Sequence, residues 1–258
     1  IVFDSVTLAL GYLYFYLKSA AINRQHFRFK FNKSTAISLL KNSWPLILSS
    51  IAVMIQARID QVMIKEMLGN EEVGYYSAAL KLIEVFGFIP VVINSSLFPA
   101  LVNGKKISED VYNMRFLNYY RLSFLLFLVT AIPIFLFSEK IVILLFGQEY
   151  WQSAALLPLM ATRLFFTNSG VARSAYLTIE NLFKFSMVTT IFGAVANLIF
   201  NYLLIPLYGS KGAIISAIFS FFITIFVIDF FYIKTRKNVK LQFLGMFTFY
   251  KISFKELK

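Results

Sequence analysis

Long apolar segments recur along the whole chain, and they constrain its fold more than any other feature. Each runs for about 18 to 25 residues, the length that a helix needs to cross a hydrocarbon layer about 30 Å thick. Of the 258 residues, 59% are hydrophobic and 15% are charged, against roughly 45–50% and about 25% in soluble domains. One soluble core could not bury so much apolar surface. The sequence therefore predicts an all-α, polytopic transmembrane helix bundle.

The apolar segments predict about seven membrane spans, at residues 1–17, 44–64, 75–101, 119–137, 153–177, 182–206 and 210–233. The chain starts without a methionine, and its first residues already have the character of a helix end, so we expect an N-terminal part to be missing. Prolines interrupt three of the spans and predict bends there, at Pro90, Pro99, Pro133 and Pro158.

Charge in the connecting segments predicts the orientation of the spans. Residues 18–41 hold six Lys or Arg and no acid, and the positive-inside rule assigns such a segment to the cytoplasm. Acids predominate in 65–74, cations predominate again in 103–121, and the tail 234–258 has seven cations and one acid. This alternation suits spans that reverse direction, with the basic linker 18–41 and the basic tail 234–258 both cytoplasmic.

Composition also argues against several classes of chemistry. There is no cysteine, and the single histidine, His26, lies in the basic linker, so we expect no disulfide, no metal site, no cofactor and no His-based catalysis. The net charge of +12 is spread over short segments between apolar spans. This pattern indicates membrane orientation rather than nucleic-acid binding.

Two segments mix charges with apolar side chains and are predicted to lie in the headgroup region rather than to span the membrane. They are residues 105–118 and 239–254. For the second segment, a disordered basic tail is an equally good interpretation.

Ionisable residues within the predicted spans are candidates for function, because each costs at least about 2.5–3.5 kcal/mol near a helix centre. Arg58, Asp60, Lys81 and Glu84 lie on two consecutive spans. Counting from the short loop between these spans places Asp60 level with Lys81, and Arg58 level with Glu84. The group is neutral in sum. It is therefore either a structural ion-pair network or the charged wall of a water-filled cavity.

Arg163 lies deep in the fifth predicted span, with no acid within one helical turn. Either an acid from another helix or an anionic ligand must then balance its charge, and a guanidinium is well shaped for phosphate. Arg173 is expected near the cytoplasmic surface, where it either extends to the headgroups or binds substrate. Asp4 and Asp229 are expected to be interface residues at cytoplasmic helix ends.

A run of short motifs within residues 36–103 resembles the start of the C-terminal half of Wzx-type polysaccharide repeat-unit flippases. These proteins belong to the multidrug/oligosaccharidyl-lipid/polysaccharide exporter superfamily. A looser likeness extends the resemblance to about residue 233. The motifs are Ser43-Trp44-Pro45, Arg58-Ile59-Asp60-Gln61, Met67-Leu68-Gly69, Val73-Gly74-Tyr75-Tyr76-Ser77-Ala78-Ala79, Phe88-Ile89-Pro90 and Ser96-Leu97-Phe98-Pro99.

The resemblance implies two six-helix bundles related by a pseudo-two-fold axis. Residues 1–17 would be the last helix of the first bundle, and residues 42–233 would be the second bundle. It also implies a transporter rather than an enzyme, one that flips undecaprenyl-diphosphate-linked oligosaccharide units across the bacterial inner membrane for surface polysaccharide assembly. The expected partners are this lipid-linked substrate, membrane lipids and other components of polysaccharide assembly, with no nucleic acid.

Within this interpretation, Arg163, Arg58, Lys81 and Arg173 are predicted to bind substrate. Asp60 and Glu84 would either couple transport to an ion or form a structural ion pair. The Arg-Ile-Asp pattern carries Arg58 and Asp60 over from the family, whereas Arg163 is assigned from its depth. Sugar hydroxyls would face polar side chains, namely Asn94, Asn168, Asn197 and Asn201.

Three other functions stay open. The first is a cation-coupled drug or small-molecule antiporter of the same superfamily, in which unpaired acids would be expected in place of a deep Arg. The second is a membrane-embedded polysaccharide polymerase or ligase, which would need a larger outside loop than the roughly fifteen residues available here. The third is a purely structural subunit.

Overall fold

The computed structural model describes residues 11, 12, 14, 18, 32–253 and 256, which are helical with short turns and contain no strand. Most of the predicted span 1–17, most of the linker 18–41, and His26 lie outside these residues. The chain divides into two compact units, Ile1–Ser43 and Trp44–Lys258. The description below concerns the second unit, which contains every candidate site residue.

Nine helices make up most of the described chain. They are α1 (Lys33–Leu68), α2 (Asn70–Ile107), α3 (Glu109–Phe146), α4 (Trp151–Ala161), α5 (Arg163–Ile179), α6 (Phe183–Tyr208), α7 (Ser210–Phe222), α8 (Ile228–Phe231) and α9 (Arg236–Phe247). A π-helical turn, Ile223–Val227, joins α7 to α8, and 3₁₀ turns stand at Gln148–Tyr150 and Phe249–Lys251.

Within the part of the chain that the structure describes, five helical segments are long and apolar enough to cross a membrane, namely Ser43–Leu68, Asn70–Ile107, Glu109–Phe146, Phe183–Tyr208 and Ser210–Phe231. Each contains or closely matches one of the predicted spans from 44–64 onwards. Their outer faces carry many exposed large apolar side chains, such as Met54, Val85, Leu144 and Tyr202. Such surfaces suit a lipid environment. The all-α, multi-pass membrane fold predicted from the sequence is confirmed.

The predicted span 153–177 is two helices rather than one. α4 ends at Ala161 and α5 begins at Arg163, and the Thr162 hydroxyl between them donates to the Leu159 carbonyl at 2.7 Å. Pro158 lies in the last turn of α4 and removes a backbone donor there. The other prolines do not end their helices. α2 continues through Pro90 and Pro99, and α3 bends at Phe137, one turn after Pro133.

Residues 105–118 do not form a helix of their own, which corrects the prediction of an interfacial segment there. α2 runs to Ile107 and α3 begins at Glu109, so the segment consists of the end of α2, the turn at Ser108 and the first turns of α3. Ser108 makes this turn, because its hydroxyl accepts a hydrogen bond from the backbone N–H of Val111 at 3.2 Å. A serine side chain in this position caps the first turn of the following helix.

The C-terminal tail is folded through Ser253, so the interpretation of the segment 239–254 as a disordered tail is wrong for its described residues, 239–253. α9 lies against α3, where the Tyr120 hydroxyl donates to Asn238 Oδ1 at 2.7 Å and Arg121 Nε donates to Thr248 at 3.0 Å. A side chain at Gly245 would place its Cβ 2.6 Å from Tyr120 Cβ. The glycine therefore permits the close approach of the two helices.

Two buried clusters hold the transmembrane helices together. One joins α1, α2, α4, α6 and α7 around Ile64, Leu157, Ile205 and Ile214. The other joins α2, α3 and α5 and is largely aromatic. The candidate polar residues lie among these helices, so their partners can come from distant parts of the sequence.

Candidate functional site

Asp60 is the centre of a buried polar network that joins four helices. Its side chain, on α1, is 2% exposed. The Tyr76 hydroxyl of α2 donates to Asp60 Oδ2 at 2.8 Å, and Asn201 Nδ2 of α6 donates to Asp60 Oδ1 at 2.8 Å. From α5, Arg163 Nη1 lies 3.6 Å from Asp60 Oδ2. One carboxylate thus fixes the relative positions of α1, α2, α5 and α6.

Arg163 is not the unpaired cation that its sequence neighbourhood suggests. An acid from another helix, Asp60, balances its charge, and Arg163 Nη1 also donates to the Tyr76 hydroxyl at 3.1 Å. The distance of 3.6 Å between Arg163 and Asp60 is too long for a hydrogen bond. Tyr76 therefore bridges the two ions, accepting from the guanidinium and donating to the carboxylate.

The guanidinium of Arg163 is not sealed in the core. Its side chain is 11% exposed and borders a cavity of about 180 Å³ between α1, α2 and α5. Glu84 borders the same cavity, together with Thr167 and apolar side chains such as Leu80 and Ile83. The cavity connects the buried network with the surface on which Glu84 is exposed.

Arg58, Lys81 and Glu84 form a charged strip on the exposed surface of α1 and α2. Arg58 Nη1 lies 3.4 Å from Glu84 Oε1, and the two side chains are 62% and 44% exposed. These residues pair at the same level, as counting from the loop predicted. Lys81 is exposed and makes no ion pair with any residue that the structure describes. Asp60 pairs with Arg163 instead of Lys81.

Arg173 and Asp229 form a second buried ion pair, in which the carboxylate is fully enclosed and the arginine borders a cavity. Arg173 Nε donates to Asp229 Oδ2 at 2.7 Å, and Arg173 Nη2 donates to Asp229 Oδ1 at 2.7 Å. Thr189 Oγ1 accepts a further bond from Nη2 at 3.1 Å. The side chains of Arg173 and Asp229 are 9% and 0% exposed, so the prediction that Arg173 extends to the headgroups is wrong. Asp229 is likewise a core residue rather than an interface residue. Asp4 lies outside the described residues.

The asparagines expected to face sugar hydroxyls mostly serve the interior. Asn168 Nδ2 donates to the Ser123 carbonyl at 3.2 Å, and Asn94 Oδ1 accepts from the Tyr119 hydroxyl at 3.1 Å. Asn197 and Asn201 are both fully buried. The sequence reasoning missed Tyr76 as a partner of both Asp60 and Arg163. The tyrosine is buried on α2, but it stands near the start of the predicted span 75–101, where an aromatic side chain is typical of the membrane interface.

The described residues contain no group of three or more His, Cys, Asp or Glu that could hold a metal ion. The polar chemistry of this part of the chain therefore rests on guanidinium, ammonium, carboxylate, amide and hydroxyl groups. Such groups can bind phosphate and sugar hydroxyls, and can exchange ion-pair partners.

Comparison with known proteins agrees with this chemistry. A family model described as polysaccharide biosynthesis protein matches residues 1–105. A putative O-antigen transporter of Shigella flexneri is 27% identical over 219 residues, which are 84% of this chain and 50% of the relative.

Two further relatives come from distant organisms. The capsular polysaccharide biosynthesis protein CapF of Staphylococcus aureus is 22% identical, over 73% of this chain and 48% of its own length. The probable low-salt glycan biosynthesis flippase Agl15 of Haloferax volcanii is 24% identical, over 81% of this chain and 44% of its own length. This chain thus spans about half the length of the curated relatives that it matches. No solved structure matches it. The chain is thus similar, along most of its length, to proteins named for polysaccharide biosynthesis and transport.

Proposed function

We propose that this chain is part of a transporter that flips undecaprenyl-diphosphate-linked oligosaccharide units from the cytoplasmic to the outer leaflet of the bacterial inner membrane. The flipped units would serve surface polysaccharide assembly. Relatives named as an O-antigen transporter and a glycan biosynthesis flippase support this function. They also favour transport over polymerase or ligase activity. The basic linker 18–41 and the tail 234–258 would be cytoplasmic.

The charged strip is the observation that carries the proposal. Arg58 is 62% exposed and Glu84 is 44% exposed, on helices that are long and apolar enough to cross a membrane. Charged side chains facing lipid at such a depth would cost several kcal/mol. The strip is therefore better placed against water or protein than against lipid. It suits one wall of a water-filled translocation cavity, whose other wall the rest of the transporter would supply.

Arg58 and Lys81 are the side chains that we assign to the diphosphate. Lys81 is exposed and has no acidic partner among the described residues, and the Arg58–Glu84 pair is exposed enough to be worth only about 0–1 kcal/mol. A phosphate oxygen can therefore replace Glu84 at little cost. Arg163 lies behind this surface, beside the cavity that Glu84 also borders. When Arg163 shifts away from Asp60, its charge would make the electrostatic potential at the charged strip more positive.

Arg173 has a different role in the proposal. Its Nε and Nη2 both donate to the Asp229 carboxylate, so its charge is balanced in the interior. We assign it to the stability of the bundle rather than to substrate binding. Asp60 and Glu84 are our candidates for ion coupling, because each carboxylate faces a cation on another helix and could exchange that partner for a proton or small cation. Transport that persists after collapse of the ion gradient would remove the coupling role.

The proposal is tested with the full-length protein in a strain that depends on it for surface polysaccharide. Arg58→Ala combined with Lys81→Ala should abolish the polysaccharide without reducing the amount of protein in the membrane. Lys140→Ala is the matched control, because it removes an exposed cation at the far end of α3. Arg163→Ala should also abolish transport, whereas normal polysaccharide in both variants would exclude the proposed roles.

Reconstitution separates the flippase from the other candidates. Purified full-length protein in liposomes should expose a fluorescent lipid-linked oligosaccharide to the opposite leaflet. An antiporter would instead move small cations or drugs, and a polymerase or ligase would change the size of the glycan. A structural subunit would do none of these.

A further inference from the structure

A column of polar side chains runs through the interior of the bundle, between α1 and α6. The two helices run in the same direction. Residues that precede Asp60 on α1 and Asn201 on α6 line one cavity, and beyond the other ends of both helices the Ser210 hydroxyl donates to Glu72 at 2.6 Å. We call this set the polar column. Its members are Ser49, Gln56 and Asp60 on α1, and Thr189, Asn197 and Asn201 on α6.

The bond between Asp60 and Asn201, at 2.8 Å, fixes the register of the column. Gln56 precedes Asp60 by one helical turn on α1, and Asn197 precedes Asn201 by one turn on α6. Because the helices are parallel, residues one turn earlier on each helix lie at the same level and on the same faces. The amides of Gln56 and Asn197 are thus neighbours of the Asp60 network inside the bundle.

These amides are buried, yet several of their atoms lack a hydrogen-bond partner. Asn197 is fully buried and Gln56 is 8% exposed. Among the residues that the structure describes, nothing bonds to Gln56 Nε2, to either amide atom of Asn197, to Asn201 Oδ1 or to Ser49 Oγ. A buried polar group without a partner costs about 1–3 kcal/mol, and native structures satisfy nearly all such groups with protein or ordered water. The clustering of five such atoms along one column indicates a shared partner.

A cavity of about 510 Å³ gives this column access to water. Hydroxyl and amide side chains of the column line it, namely Ser49, Gln56 and Thr189, and Thr224 of the π-helical turn and Arg173 lie beside them. A site holds ordered water when it is polar and offers two to four partners to each molecule. A Cβ on Gly193 would come 2.7 Å from Thr224 Cγ2, so α6 and the π-helical turn are in close contact here and bound the column on that side.

We propose that a chain of water molecules enters from this cavity and occupies the polar column as far as Asp60. The column is a water-binding site, and its ligands are the unpartnered amide and hydroxyl groups. Asp60 is then hydrated from the end of the bundle at which α1 and α6 begin, although protein covers the carboxylate itself.

A consequence for transport follows, and it rests on the proposed function. Separating Asp60 from Arg163 in a dry interior would leave two bare charges at a cost of several kcal/mol per ion. Water reaching Asp60 through the column lowers that cost. The pair can then open when the bundle changes conformation or when substrate draws Arg163 towards the charged strip.

The absence of cysteine from the chain allows a direct test by single-cysteine labelling of the full-length protein in open membrane fragments. Gln56→Cys and Asn197→Cys are treated with a small, positively charged methanethiosulfonate that does not enter lipid. A thiol reacts as its thiolate, which forms in water and not in apolar surroundings, so both should react at least about tenfold faster than the controls. The controls are Val195→Cys on the exposed apolar face of α6 and Ala213→Cys in the dry core.

A second variant tests the route of access. Gln56 lines the cavity and Asn197 does not, so Gln56→Phe fills the opening of the column into the cavity. It should abolish labelling of Asn197→Cys, while leaving Lys106→Cys at the surface as reactive as before. Labelling after denaturation measures the total amount of thiol in each variant. If another variant fails to accumulate in the membrane, Ser49→Cys, which changes the side chain least, repeats the test. Labelling of Gln56→Cys and Asn197→Cys as slow as that of Ala213→Cys overturns the proposal. Because labelling requires no transport, it separates failure of the water column from failure of the flippase function.

Discussion

The buried pair Arg173–Asp229 gives the sharpest prediction on stability. Asp229→Asn keeps the size of the side chain and removes its charge, which leaves the buried guanidinium without a counter-ion. The pair has two bonds of 2.7 Å, and Asp229 is fully buried. Removing one partner of such a pair costs about 3–5 kcal/mol, because an uncompensated charge stays in the interior. We expect Asp229→Asn to lower the free energy of unfolding by this amount.

The double variant Arg173→Met with Asp229→Asn separates the charge effect from the loss of packing. It removes both charges, so it should be less destabilised than Asp229→Asn alone. Together with the single variant Arg173→Met it completes a double-mutant cycle, in which the destabilisation of the double variant minus that of the two single variants is the coupling free energy of the pair. Glu109→Gln is the matched control. It breaks an exposed pair with Lys237, in which the side chains are 69% and 54% exposed, and it should cost less than about 1 kcal/mol.

The assay measures unfolding of the purified full-length protein in detergent. Unfolding is monitored by denaturant titration and, on heating, by loss of the monodisperse peak in size-exclusion chromatography. The reasoning is refuted if Asp229→Asn is no more destabilised than Glu109→Gln. It is also refuted if the double variant is destabilised by the sum of the two single variants. In either case the buried charges would not depend on each other for their stability.

Three further predictions concern close contacts. Gly212→Val should prevent accumulation of the protein in the membrane, because its Cβ would overlap the backbone of α6. Gly74→Ala should be tolerated, because a Cβ at that position meets no atom within 4 Å. Immunoblotting of membranes measures the amounts of the two variants. Gly245→Leu should push α9 from α3 at a cost of about 1–3 kcal/mol, seen as faster proteolysis of the tail with an intact transmembrane bundle. Tyr76→Phe should reduce transport while leaving membrane levels near normal, since it removes the hydroxyl between Asp60 and its guanidinium partner; unchanged transport would show that the bridge is dispensable.

The sequence was sufficient for features that depend on local composition. Spans such as 182–206 follow from their length and apolarity alone, because lipid imposes the same requirement on every residue of a spanning helix. Counting along two neighbouring spans also brought Arg58 level with Glu84, since the loop that joins them is short. Pro158 predicted a bend in the fifth span, but not its division into two helices at Thr162, because the apolar character of the segment continues through that residue.

Partners that are distant in sequence could not be predicted. Asp229 follows Arg173 by 56 residues and Asn201 follows Asp60 by 141, so no periodicity relates them. Only the packing of the helices decides which of several buried polar residues meet. Arg163 illustrates this: the sequence left open whether an acid from another helix or an anionic ligand balances its charge, and the acid comes from α1. The amphipathic pattern of α9 likewise suits a lipid surface and the flank of α3 equally well.

The two buried Asp–Arg pairs differ in a way that indicates which part of the bundle can move. Arg173 and Asp229 make two direct bonds and are buried, so opening that pair would expose both charges to the interior at once. Arg163 and Asp60 are separated by 3.6 Å and joined through a tyrosine hydroxyl. Their network also borders a cavity that reaches the charged strip. A pair joined only through a hydroxyl opens at lower cost than a buried pair held by two direct hydrogen bonds. Conformational change during transport is therefore expected at the junction of α1, α2 and α5, while α5 and α8 stay together as a unit.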